Sequence, residues 1–139
     1  MVDTLKPFID QRYRTRPEPA ATGLAGSSMG GLISLYGFFH EPATFGVVGA
    51  LSPSLWFADE AIFGAVESAP RVPGRIYLDI GTGESARALA DARRMRHLLL
   101  RKGYRLGRDL SWVEERGAGH QEAAWGRRLG RALPFLFPA

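Results

Sequence analysis

The sequence contains no cysteine, which excludes both a disulfide framework and thiolate chemistry. It has no run approaching the ~18 apolar residues of a membrane span, and the opening stretch MVDTLKPFIDQRYR lacks the apolar core of a secretion signal. The expectation is a cytoplasmic protein that does not engage a membrane. Lysine is nearly absent: Lys6 and Lys102 stand among 18 basic residues, and the rest are arginine, a usage that fits codon bias in a GC-rich genome. The net charge is +4, and basic residues crowd the stretch from Arg87 to Arg131. That stretch carries no nucleic-acid motif. Its arginines between Asp91 and Lys102 fall where a solvated helix face belongs, so no nucleic-acid partner is expected. There is no Walker lysine, zinc-ligand pair or calcium loop, and neither metal nor cofactor is expected.

What is present is one domain's worth of chain. The 139 residues are 45% hydrophobic and 23% charged, ordinary globular values, and a chain of this size hides about two-thirds of its unfolded surface. Asp3 can cap a first helix carrying Leu5, Phe8, Ile9 and Tyr13, which the Pro-containing stretch Arg16 to Pro19 ends. Short strand patterns follow at Ala20–Ala25, Val47–Leu51, Arg75–Ile80 and Leu110–Glu115. Helical patterns follow them at Met29–His40, Ala58–Glu67, Glu84–Lys102 and after His120, the last carrying Trp125, Leu129 and Leu133. Four strand–helix repeats predict an α/β fold, a parallel sheet of about four strands flanked by helices on both faces, in a single domain over residues 1–139.

Gly26-Ser27-Ser28-Met29-Gly30 matches the G-x-S-x-G turn between a strand and a helix. Such a turn exposes the serine oxygen at the C-terminal edge of the sheet, and flanking side chains would clash within it. The N–H of Met29 would then face an oxyanion forming beside Ser28. A structural turn with an exposed serine reads from the same five residues, so the partners decide. A serine needs a general base. His40 ends the elbow helix and His97 lies in an arginine-rich helix. His120 follows the fourth strand through Arg116-Gly117-Ala118-Gly119, on the same sheet edge as Ser28. The acid should leave the strand between them. Glu84, just past the third strand, is preferred, with Asp79 inside that strand as the alternative. Glu84 also reads as an N-cap or first-turn acid favouring the helix dipole. Gly81-Thr82-Gly83-Glu84-Ser85-Ala86 overlaps a dinucleotide-binding pattern, yet no acidic residue follows at the required spacing.

GSSMGGLISLYG (26–37), ALSPSLWF (50–57), RIYLDIGTGE (75–84) and GAGHQEAAW (117–125) together resemble the esterase branch of the α/β-hydrolases. That branch includes enterochelin esterases, esterase D-like enzymes and feruloyl esterases, and the chain resembles its C-terminal half. The resemblance implies a serine carboxylesterase acting on short acyl esters through an acyl-enzyme. Ser28 would be the nucleophile, His120 the proton shuttle, Glu84 the orienting acid and Met29 N–H an oxyanion donor, with Trp56 and Ser27 in the substrate-binding wall. Family members are about twice as long and bring a second oxyanion donor from an earlier loop. Relative to that fold, the chain is expected to be truncated. Its serine-bearing strand would be an uncharged sheet edge, which invites pairing; a homodimer is the expected assembly, with a small ester as the other partner. The alternative is a non-catalytic remnant acting as a binding module.

Overall fold

The computed structural model describes residues 1–138. Helix α1 (Leu5–Arg12) precedes four strand–helix pairs: β1 (Gly23–Ser27) and α2 (Met29–His40), β2 (Val47–Leu51) and α3 (Phe57–Ser68), β3 (Arg75–Gly81) and α4 (Ala86–Arg101), and β4 (Leu110–Glu115) and α5 (Glu122–Leu136). The strands form one parallel sheet in the order β1-β2-β3-β4. Parallel neighbours require a crossover segment, and each crossover here contains a helix. The fold is α/β, as the alternation of patterns predicts.

The period of two along each strand divides the core. Val48, Ala50, Ile76, Leu78 and Ile80 belong to the larger cluster with buried residues of α2, α3 and α4. Val47, Leu51 and Tyr77 face the other way, against Ala132 and Leu136 of α5. Because β2 and β3 are covered on both faces, their sequences read as nearly continuous apolar runs. β1 pairs with β2 alone, so its second edge is open among the described residues.

Four local expectations are corrected. The first strand begins at Gly23, because Pro19–Ala21 turns as a short 3-10 segment. Asp3 does not cap α1: the capping position is Thr4, with no side-chain bond, and no residue of α1 is buried. Leu5, Phe8 and Tyr13 remain about half exposed. In α3, Ala58, Asp59 and Glu60 take left-handed φ values of 49°, 52° and 63°, so the regular helix starts only after them. Left-handed backbone costs roughly 1–2 kcal/mol per residue, and here Glu60 is tied by ion pairs to Arg87 and Arg94. In α5 the inward stripe is Ala124, Arg128, Ala132 and Leu136, one position round from the expected Trp125, Leu129 and Leu133. A basic residue in that stripe disguises it as a solvent face.

No helix among the described residues is long and apolar enough to cross a membrane. Two arginines of α4 do lie outward: Arg93 and Arg94 are exposed and pair with Glu114 and Glu60, whereas Arg96 is half-buried over the Trp112 ring.

Leu78 has no exposed surface and lies in the centre of the larger cluster. Leu78→Ala should cost about 2–5 kcal/mol, read as a lower urea midpoint at unchanged slope.

Candidate active site

The four strands end on one edge, and the loops leaving that edge build the site. At the end of β1 the chain turns through Ser28, at φ 56° and ψ −120°, a strained conformation costing on the order of 1–3 kcal/mol. Three backbone bonds hold it. Ser28 N–H donates to Leu51 C=O at 2.9 Å, and Ser28 C=O accepts from Leu32 N–H and Ser54 N–H, both at 3.0 Å. The requirement for glycine is one-sided. A Cβ on Gly26 would fall 2.6 Å from the Gly30 backbone, whereas one on Gly30 would meet nothing within 4 Å. The second tight position is Gly31, where a Cβ would sit 3.0 Å from Gly26 O.

The loops after β3 and β4 are packed onto each other. A Cβ on Gly81 would lie 2.1 Å from Ala118 O, so only glycine allows the approach. Gly83 N–H donates to Ala118 C=O, Thr82 N–H to Glu115 C=O, and Gly117 N–H to the Thr82 hydroxyl. The glycines of the dinucleotide-like pattern are accounted for by this loop contact. Ser85, not Glu84, caps α4, its Oγ accepting from Ala88 N–H at 3.1 Å. Glu84 is thereby free to point back into the loop.

These constraints bring Ser28, His120 and Glu84 together. His120 Nε2 lies 2.9 Å from Ser28 Oγ, and His120 Nδ1 lies 2.8 Å from Glu84 Oε2. The Glu84 side chain is 2% exposed and that of His120 45%; the imidazole meets the Trp125 ring edge-on at 4.8 Å. An ionised Glu84 accepting Nδ1–H selects the tautomer whose Nε2 can take a proton from Ser28. Met29 opens α2, so its N–H has no intrahelical acceptor. It is available beside Ser28 Oγ at the positive end of the helix dipole.

Asp79, the alternative acid, is elsewhere. It is fully buried on the α5 side of β3, with Oδ2 accepting from Arg128 Nε at 2.9 Å and Oδ1 from Ser52 N–H at 2.9 Å. Burial pushes its carboxyl up to about 6, against the opposing pull of the Arg128 charge and the Ser52 N–H. His40 stacks on Tyr36 at the far end of α2, and His97 is exposed on α4.

A cleft of about 310 Å³ opens over the serine, lined by Ser28, Ser52, Pro53, Ser54, Trp56, Glu84, Ser85, Ala88 and His120. Trp56 is in its wall, half exposed. Ser27 is not: its register partner is Leu51, on the α5 face of the sheet. Three residues that the sequence pattern did not single out belong to the site. Ser54 Oγ is 3.1 Å from Ser28 Oγ. Ser52 Oγ–H donates to Glu84 Oε1 at 2.5 Å. Arg128, wholly buried, donates to Asp79, Ser52 and Glu115. The serines lie within the ALSPSLWF block, where their signal is a pair of hydroxyls at the end of the neighbouring strand. Arg128 left no signal apart from its i, i+4 spacing from Ala124 and Ala132.

The family model described as "Putative esterase" matches residues 1–136. Among curated proteins, the uncharacterized protein YbbA of Bacillus subtilis is 27% identical over 138 residues, covering 94% of this chain and 55% of that protein. The siderophore enterobactin esterase of Emericella nidulans is 34% identical over 62 residues, 45% of this chain and 20% of that protein. Among solved structures, the enterobactin esterase FES of Shigella flexneri superimposes with a TM-score of 0.83 at 23% identity, over 95% of this chain and 35% of the other. The ferulic acid esterase of Anaeromyces mucronatus does so with a TM-score of 0.77 at 22% identity, over 98% and 52%. These superpositions establish the fold. The chain spans about half the length of YbbA and of the ferulic acid esterase, and about a third of the enterobactin esterase FES. With a match over nearly its whole length, the chain belongs to the esterase family of α/β-hydrolases.

Proposed function

We propose that the chain is a serine carboxylesterase that hydrolyses short acyl esters through an acyl-enzyme. The observation that carries this reading is the continuous hydrogen-bonded line from Ser28 Oγ through His120 to Glu84, assembled from residues 92 and 36 positions apart. A structural turn would need neither partner. His120 takes the Ser28 proton as Oγ attacks the ester carbonyl, and Glu84 stabilises the imidazolium. Met29 N–H supports the oxyanion. The imidazolium returns its proton to the departing alcohol, and water then releases the acid by the same path in reverse. The names of the enterobactin and ferulic acid esterases support an ester as substrate, while Trp56, half exposed over an open cleft, supports an apolar acyl group.

Ser28→Ala and His120→Ala should each lower p-nitrophenyl acetate and butyrate turnover by about 10³ or more. Glu84→Gln should lower it by about 10²–10⁴, and a fluorophosphonate should label Ser28 in the parent, read by mass spectrometry. A folded parent with neither turnover nor label sinks the hydrolase reading and leaves a binding module on a hydrolase scaffold.

A homodimer is the accompanying proposal. The open edge of β1 is Gly-Leu-Ala-Gly-Ser, uncharged and short of side chains that would block a second strand. Met29, Ile33 and Tyr36 are exposed along the adjoining α2. At micromolar concentration, light scattering should return twice the 15.2 kDa chain mass; a monomer rules the dimer out.

A further inference from the structure

The buried polar cluster behind Glu84 is larger than a three-residue site needs. Arg128 projects from α5 with no solvent exposure, and an unpaired guanidinium there would carry a desolvation penalty of several kcal/mol. It is met by Asp79 at 2.9 Å, Glu115 at 3.2 Å and the Ser52 hydroxyl at 2.7 Å, with Glu84 Oε1 at 3.9 Å. Guanidinium only donates. Ser52 Oγ must therefore accept from Arg128, and its own proton is directed at Glu84 Oε1. That oxygen also accepts Gly81 N–H at 2.9 Å. With Oε1 held by two donors, the carboxylate is locked in rotation and Oε2 alone faces His120. Ser52 sits at φ 41°, strained like Ser28, and its N–H is tied to Asp79 Oδ1.

We infer that Arg128, Ser52 and Asp79 are positioning residues that aim Glu84 at His120 and set the net charge His120 experiences. The inference rests on the hydrolase reading for its consequence in turnover, though not for its effect on the imidazole. The titratable and charged groups around the cluster are Tyr77 and Asp79 from β3, Glu84 from the following loop, Glu115 from β4, and Arg127, Arg128 and Arg131 from α5. Three carboxylates share one buried arginine, so removing a carboxylate and removing the arginine shift the net charge near His120 in opposite directions.

The test is titration of the His120 imidazole by NMR alongside kcat/KM against pH. Asp79→Asn removes one negative charge from the cluster and should move both curves down by about half a pH unit; Arg128→Met removes the positive charge and should move them up by about as much. Asp79→Asn keeps an acceptor for Ser52 N–H and leaves Arg128 its Glu84 and Glu115 partners, so it decides the matter if Arg128→Met does not fold. Ser52→Ala should lower kcat about tenfold with KM nearly unchanged, the loss of a charge-assisted hydrogen bond. Asp79→Asn and Ser52→Ala proteins that are folded, yet keep the parent's imidazole titration and kcat, overturn the inference. Shifted imidazole titrations in the variants of a parent without turnover uphold it while removing the esterase reading.

Discussion

One guanidinium organises the sheet edge that carries Ser28, Glu84 and His120. Arg128 lies at the middle of the inward stripe of α5, and its fork ties that helix to β3 through Asp79, to β4 through Glu115 and to the end of β2 through Ser52. A buried charge tolerates no vacancy among its partners: losing one costs more than the pair itself is worth. The elements that carry Glu84 and His120 are thus held to a common centre by the penalty for leaving it. An apolar residue at 128 could fill the same space, but it would not direct the Ser52 proton.

The strain in the backbone follows the same map. Ser28 and Ser52, the residues that follow β1 and β2, both take positive φ, and each is held by hydrogen bonds to its neighbours. Ser28 is fixed by Leu51 and Ser54, Ser52 by Asp79 and Glu84. Strain survives where surrounding contacts over-determine the geometry, and here those contacts are the ones that place the Ser28 and Ser52 hydroxyls. The close approach of Gly81 to Ala118 does for the loops what these bonds do for the turns. It lets Glu84 and His120 meet across 36 residues of chain.

Much of the fold was legible because each element has its own period. The strand patterns match the strands within a residue except at β1, where small residues carry no alternation and both ends lie two to three residues later than expected, and α1 shows an apolar stripe that tertiary packing leaves half exposed. The turn at Ser28 was legible from its glycines, and His120 from its place after the last strand. α5 was read one residue out of phase because hydrophobicity counts Arg128 as outward. The pairing that lets it face inward involves residues 13 and 49 positions earlier.

By itself the sequence determined the order of strands and helices, the tight turn that exposes Ser28, and the sheet edge on which Ser28, Glu84 and His120 must lie. These depend on local period, glycine placement and chain order. The tertiary structure alone decided which acid meets the imidazole. Asp79 and Glu84 are five residues apart on one strand and its loop, but the pleat turns Asp79 toward α5, where Arg128 claims it. The β3 and β4 loops, pressed together at Gly81, turn Glu84 toward His120. That choice is set by register between strands and by the rotation of a packed helix, and neither quantity is carried by any single stretch of chain.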